Sequence, residues 1–193
     1  MTVPKVVDPE ERRASVAAAV WRVVRRSGLD GVSVRTVAAE AGLSAGSLRH
    51  YFATQAELLA FAMQLVADRV RARVDAIGPG PDPVTTVRRV IDELLPLDPE
   101  RRAEAEVWLA FTTRAQVDPA LRALRDASYD ALEGLCADLV DALAPEHPHR
   151  AAEIERLYSL IDGLVLHAVM RPDRATPELM GAVVDRHLAE LGQ

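Results

Sequence analysis

Ser33-Val34-Arg35-Thr36-Val37-Ala38-Ala39-Glu40-Ala41-Gly42, continued by Leu43-Ser44-Ala45-Gly46-Ser47-Leu48-Arg49-His50-Tyr51-Phe52, spells two short helices meeting at a tight corner. Ser33 is a good N-cap for a helix running to about Ala41, with Val34, Val37, Ala38 and Ala41 turned inward. Gly42 can take the left-handed conformation that ends it, and Leu43 can plug the corner. Ser44 then satisfies the free N–H groups of a further helix of barely two turns, to about Tyr51. Ala38 is small where two helices must pass closely. This is the spacing that a helix-turn-helix requires.

The second of these helices has almost nothing to bury. Ser44, Ala45, Gly46, Ser47, Arg49, His50 and Tyr51 are small or polar, leaving only Leu48 and Phe52 for a core. Such a helix is poor scaffold but well suited to a DNA major groove. Its small N-terminal residues let the backbone approach base edges and phosphates, and Arg49, His50 and Tyr51 supply long donors. Ser33, Arg35 and Thr36 are expected to support it, because the start of the preceding helix crosses the phosphate backbone in this motif.

Working outward, residues 10 to 27 place Val16, Val20, Val23 and Val24 on one face, with five arginines largely elsewhere, and Gly28 ends that helix. Downstream, a long helix starts near Gln55, carries Leu58, Leu59, Ala62, Leu65, Val66 and Val70 at helical spacing, and fades before Gly78. Gly78-Pro79-Gly80-Pro81-Asp82-Pro83 breaks regular structure. Beyond it the punctuation predicts helices at about 83–95, 99–116, 119–144, 150–170 and 177–191, with Thr176 capping and Pro177 at the first helical position. The expected fold is all-α with about nine helices: a three-helix DNA-binding domain at 1–54, a connecting helix at 55–78, and a larger helical ligand-binding and dimerisation domain at 79–193.

Composition agrees with this reading. Of 193 residues 49% are apolar but only 4% aromatic, the Ala/Val/Leu vocabulary of packed helices. The net charge of -6 is unevenly spread: residues 1–60 hold eight Lys/Arg against six acids, and the remainder holds 15 against 23. A basic head on an acidic body suits presentation of one end to phosphate. No apolar run approaches a membrane span, and Met1–Glu11 is too charged and proline-marked for a secretion signal, so a cytoplasmic protein with no membrane partner is expected. The single Cys136 has no partner thiol.

The order and spacing of Gly31-Val32-Ser33, Val37-Ala38, Ala41-Gly42-Leu43-Ser44, Leu48, Phe52 and Glu57-Leu58-Leu59 resemble the N-terminal DNA-binding signature of the TetR family. The resemblance covers about residues 10–60. It implies a three-helix DNA-binding domain, a variable C-terminal domain for ligand binding and dimerisation, and most often a repressor released from a palindromic operator by a small effector. Arg49, Tyr51 and Gln55 depart from the commonest pattern, which has Tyr, His and Lys there. Gln55 lacks the phosphate-seeking charge, which Arg49 is placed to restore, and either contacts phosphate as a hydrogen-bond donor or is a solvated first-turn residue. The stretch from Tyr158 to Leu164, with Trp108 upstream, is more loosely similar to the betaine-regulator-like subgroup.

The C-terminal part holds no HExxH, phosphate loop, Gly-x-Ser-x-Gly or Cys/His cluster, so no catalytic or metal site and no cofactor are expected. Trp108, Phe111, Thr112, Gln116, Tyr129, Tyr158 and Met170 are the long or aromatic residues on otherwise Ala/Leu/Val helices, and are either pocket-lining or core. Leu157, Ile161, Gly163, Leu164 and Ala168, then Val183, Val184 and Leu188, form broad apolar faces expected to build a homodimer interface. In the family such an interface places two recognition helices about one DNA turn apart, on the order of 34 Å. Two rival readings remain open: a helical small-molecule-binding protein without DNA recognition, favoured by Gln55 and the acidic body, and a helical enzyme, of which there is no trace.

Overall fold

Three Asp-Pro pairs set the starts of three consecutive helices. Asp82 accepts a hydrogen bond from the Thr85 N–H, Asp98 from those of Glu100 and Arg101, and Asp118 from that of Ala120. In each pair the carboxylate satisfies N–H groups that have no partner within the helix, and the following proline occupies a position where none is needed.

The computed structural model describes residues 9–191, and its helices are α1 (Pro9–Ser27), α2 (Val34–Glu40), α3 (Ala45–Arg49), α4 (Gln55–Asp75), α5 (Pro83–Leu94), α6 (Pro99–Val117), α7 (Pro119–Leu143), α8 (Arg150–Met170) and α9 (Pro177–Leu191). One turn of 3-10 helix, Leu29–Gly31, lies where the sequence reads as a plain link. The described residues include no strand. Residues 1–8, with Lys5 and most of the stretch read above as unlike a secretion signal, lie outside the described part. No helix among the described residues is long and apolar enough to cross a membrane. Observed and expected helix ends agree within two residues except at α4, which stops at Asp75, three short of the expected 78; α3 stops at Arg49 and leaves His50 and Tyr51 in a turn.

The chain forms two compact units that divide within α4, residues 1–65 and 66–193. In the first, Val16, Ala19, Val20 and Val23 of α1, Val37 and Ala38 of α2, Leu48 of α3 and Leu58 of α4 are buried. Phe52 and Phe61 pack with ring centroids 4.9 Å apart, and the Arg13 guanidinium lies 5.5 Å from the centre of the Phe61 ring.

In the second unit, Val87, Ile91 and Leu95 meet Cys136, Leu139 and Val140 of α7, Leu157 and Ile161 of α8, and Val184 and Leu188 of α9. A charged cluster lies beside this core. Glu104 of α6, buried, accepts hydrogen bonds from Arg69 at 3.1 Å and from Arg73 at 2.9 and 2.6 Å, both on α4. Arg73 also reaches Glu93 at 2.8 Å, and Arg69 pairs with Glu100. The Glu104 carboxylate foremost raises the Arg73 guanidinium above its ordinary value, against the opposing effect of burial.

Candidate nucleic-acid interface and effector site

The corner at Gly42 is held by local hydrogen bonds. Ser33 caps α2 by accepting from the Thr36 N–H at 3.1 Å, while the Thr36 hydroxyl accepts from the Ser33 N–H at 2.9 Å and lies 2.7 Å from the Gly31 carbonyl. This reciprocal box satisfies two free donors at once. Gly42 adopts a φ of +66°, and the Leu43 N–H returns to the Ala38 carbonyl at 2.8 Å. A side chain at Gly42 would carry the left-handed penalty of roughly 1–2 kcal/mol. Ser44 caps α3 by accepting from the Ser47 N–H at 3.0 Å.

On α3 only Leu48 is buried; Ala45, Gly46, Ser47 and Arg49 are exposed, as are the cap Ser44 before them and His50 and Tyr51 after. Tyr51 is a large side chain left 48% exposed. Arg35 and Arg49 are exposed and make no ion pair among the described residues. The face therefore offers cations, a phenol and an imidazole beside small residues, of which Ser44 and Ser47 are engaged with each other.

Not every expected contact is equally available. The Ser33 and Thr36 side chains are engaged in the capping box, so what α2 presents outward at its start is Arg35. The Gln55 amide donates to the Val32 carbonyl, tying the start of α4 to the loop before α2. That is a use of Gln55 which neither sequence reading foresaw. Glu40 was likewise overlooked: it takes Arg22 of α1 at 2.7 Å and Arg26 at 2.8 Å. These hydrogen bonds, that from Arg22 foremost, hold its carboxyl below the usual carboxylate range.

In the second unit α6, α7 and α8 pack on one another. They bring together three of the seven residues singled out there as rings in sequence: Trp108 lies 5.3 Å from Tyr129, edge-on, and Tyr129 lies 6.2 Å from Tyr158, measured between centroids. The Thr112 hydroxyl is buried beside Tyr129 without a well-formed hydrogen bond. Phe111 is fully buried. Gln116 is exposed and Met170 is 60% exposed.

Asp162 is the member that sequence reading missed. It sits one turn after Tyr158, and that i, i+4 relation was the available signal. Burial, then Glu155, raises its carboxyl above the ordinary value; burial, then Asp162, raises the phenols of Tyr129 and Tyr158. The buried Cys136 thiol is pushed up to about 12, by burial and then by Asp162, Glu133 and Glu155. No group of three His, Cys, Asp or Glu side chains among the described residues could hold a metal ion.

Of the residues expected at a dimer interface, Leu157, Ile161, Ala168, Val184 and Leu188 are buried in the chain's own core. The periodicity that marked them is real, but α5 to α9 cover that face themselves. Gly163, Leu164 and Val183 are half-buried, and the large apolar side chains left exposed on α8 and α9 are Leu166, Met170 and Leu179.

Two family models match the chain, "Bacterial regulatory proteins, tetR family" over residues 16–62 and "BetI-type transcriptional repressor, C-terminal" over residues 83–193. The HTH-type transcriptional regulator PksA of Bacillus subtilis is 40% identical over 192 residues, 98% of this chain and 94% of that protein. A transcriptional regulator of Rhodococcus superposes with a TM-score of 0.82 at 32% identity, covering 93% of this chain and 95% of the other. The multidrug binding protein EbrR, complexed with ethidium, superposes at 0.66 with 30% identity, covering 91% and 98%. The exposed helix behind a glycine corner, the helical second unit and these full-length likenesses have one explanation: the chain belongs to the TetR family of DNA-binding transcriptional regulators, with a C-terminal region of BetI type.

Proposed function

We propose that this regulator is a repressor that grips a palindromic operator as a homodimer and is released when a small molecule occupies the region among α6, α7 and α8. The observation that carries the DNA-reading part is α3 itself, with one buried residue and an exposed outer surface of small and polar residues that ends on Arg49, which makes no ion pair among the described residues. Arg49, His50 and Tyr51 are its base and phosphate donors, and Arg35 steadies it from α2. EbrR with its bound ethidium supports a small-molecule role for the second unit. The homodimer is assigned to the outer faces of α8 and α9, around Leu166, Met170 and Leu179.

Release follows from position on α6. Trp108, in the ring cluster, is one turn beyond Glu104, which holds Arg69 and Arg73 of α4. A guest that shifts α6 therefore pulls on α4, the helix that begins at Gln55 beside the DNA-reading elements. Repression is lost because the ligand prefers the poor-binding state.

The test is binding of the purified protein to the DNA upstream of its own gene and to neighbouring intergenic DNA, titrated against salt. Saturable, site-specific binding that weakens with salt is expected. Arg49→Ala together with Tyr51→Phe is expected to weaken it by about 1–3 kcal/mol and to make the salt dependence shallower by about one charge per protomer. Equal affinity for random DNA in all of these regions would leave the ligand-binding reading without DNA recognition.

A further inference from the structure

We propose that His187 makes the seating of α9 against the core sensitive to acid, so that a proton on its ring loosens α9 from α8. Assembly of the homodimer on the outer faces of these two helices then weakens as pH falls, a consequence that rests on the dimer reading above.

The buried residues of α9 are Met180, Val184, His187, Leu188 and Leu191, a stripe at helical spacing that an apolar residue would ordinarily complete. His187 is 3% exposed, and neither ring nitrogen has a hydrogen-bond partner among the described residues. Of the chain's five histidines it is the buried one: His50, His149 and His167 are exposed and His147 is half-buried. A neutral ring is tolerable in such a place. An imidazolium brings a full charge and two N–H donors to a position where the ring has no bonded acceptor, which is far more costly.

The charges around the ring balance without that proton. From α8, Arg156 opposes protonation and Glu153 favours it; from α9 itself, Glu190 favours it. Arg156 is bound to Glu190 and lies 3.5 Å from Glu153, whose Oε2 is buried without a hydrogen bond, while Arg186 takes Glu190 at 2.7 Å. Two carboxylates are thus matched by two guanidinium groups, and a cationic His187 puts one positive charge in excess. Helix α5, which also packs on α9, sends Arg88 to Asp185 of α9 at 2.6 Å and to its own Asp92, and Arg89 to the Gly78 carbonyl at 3.3 Å. Glu155 and Asp162 of α8 act on Cys136 of α7. Burial, then Arg156, holds the imidazole below its ordinary value.

A detached α9 has an ordinary imidazole, with its midpoint at about pH 6.5. As pH falls through that value, the detached helix takes up a proton that the seated helix refuses. Detachment is therefore favoured by up to about tenfold per pH unit, until the seated ring titrates as well. The stability that the neutral ring contributes is complete above this window and lost below it.

The test is amide exchange of the full-length protein, corrected for the intrinsic pH dependence of exchange. The opening constant of α9 is expected to rise at least about threefold between about pH 7.5 and 5.5. His187→Leu and His187→Asn both remove the titrating group, and whichever of them folds is expected to lose that rise. Ring resonances of the unsubstituted protein give a second measurement, in which His187 is expected to titrate below His50 and His149. A His187 midpoint equal to theirs overturns the proposal, as does a rise in α9 opening that persists in the variants. Sedimentation at the same pH values follows the dimer, which is expected to weaken in parallel with α9 opening. A dimer indifferent to pH while α9 opens, or no dimer at any pH, counts against the dimer reading alone.

Discussion

Leu48→Ala is expected to abolish operator binding while the second unit stays folded. Leu48 is the only buried residue of α3 and is fully enclosed. Truncating such a leucine costs about 2–5 kcal/mol, a large share of the stability of a small unit. The five residues of α3 are far too few to hold a helix in isolation, so they keep their shape only while Leu48 is seated. Loss of that anchor frees the surface that reads DNA, and affinity is expected to fall at least about a hundredfold. Amide exchange shows where the damage lies: the N–H groups of Leu48, Tyr51 and Phe52, bonded within this segment, lose protection, while those of α7 and α8 keep theirs. Undiminished operator affinity in Leu48→Ala would mean that α3 is not the reading element.

Glu104→Ala is expected to destabilise the second unit by about 2–3 kcal/mol. Removing one member of a buried charged cluster strands the others, which costs about 3–5 kcal/mol when all are fully enclosed. Here Arg69 keeps Glu100 and Arg73 keeps Glu93, and the two arginine side chains are 37% and 29% exposed, so these carboxylates and water offset part of that loss. Glu104→Gln preserves shape and an acceptor oxygen and is expected to lose less. Urea unfolding separates the cases, because a lower midpoint at unchanged slope is a change in stability alone. A shift below about 0.5 kcal/mol for Glu104→Ala would place these charges among ordinary solvated surface pairs.

What the sequence made legible was local. Ser33, Gly42 and Ser44 act within four residues of themselves, so their capping and turning roles could be read from spacing. The Asp-Pro starts of α5, α6 and α7 were equally self-contained. What escaped reading was assembled across distance. Asp162 derives its character first from burial, which depends on the helices packed around α8 and which no local period reveals. Gln55 turned to the Val32 carbonyl, a partner 23 residues back. Glu104 looked like any acid on α6 until α4 folded against it. The stripes containing Leu157, Ile161 and Val184 showed that a face is apolar, but a stripe does not say whether the chain's own helices or another molecule covers it.

The Glu40 clamp bears on how tightly the regulator is tied to its ionic surroundings. Binding to DNA is driven largely by displaced counterions, about 0.9 for each phosphate that the protein neutralises. Arg22 and Arg26 would swell that number if they were unengaged, but Glu40 occupies both guanidinium groups and cancels one of their charges. The DNA-binding unit then displaces between about one and two fewer ions than its arginine content implies. Occupancy of DNA is buffered accordingly against swings in salt concentration.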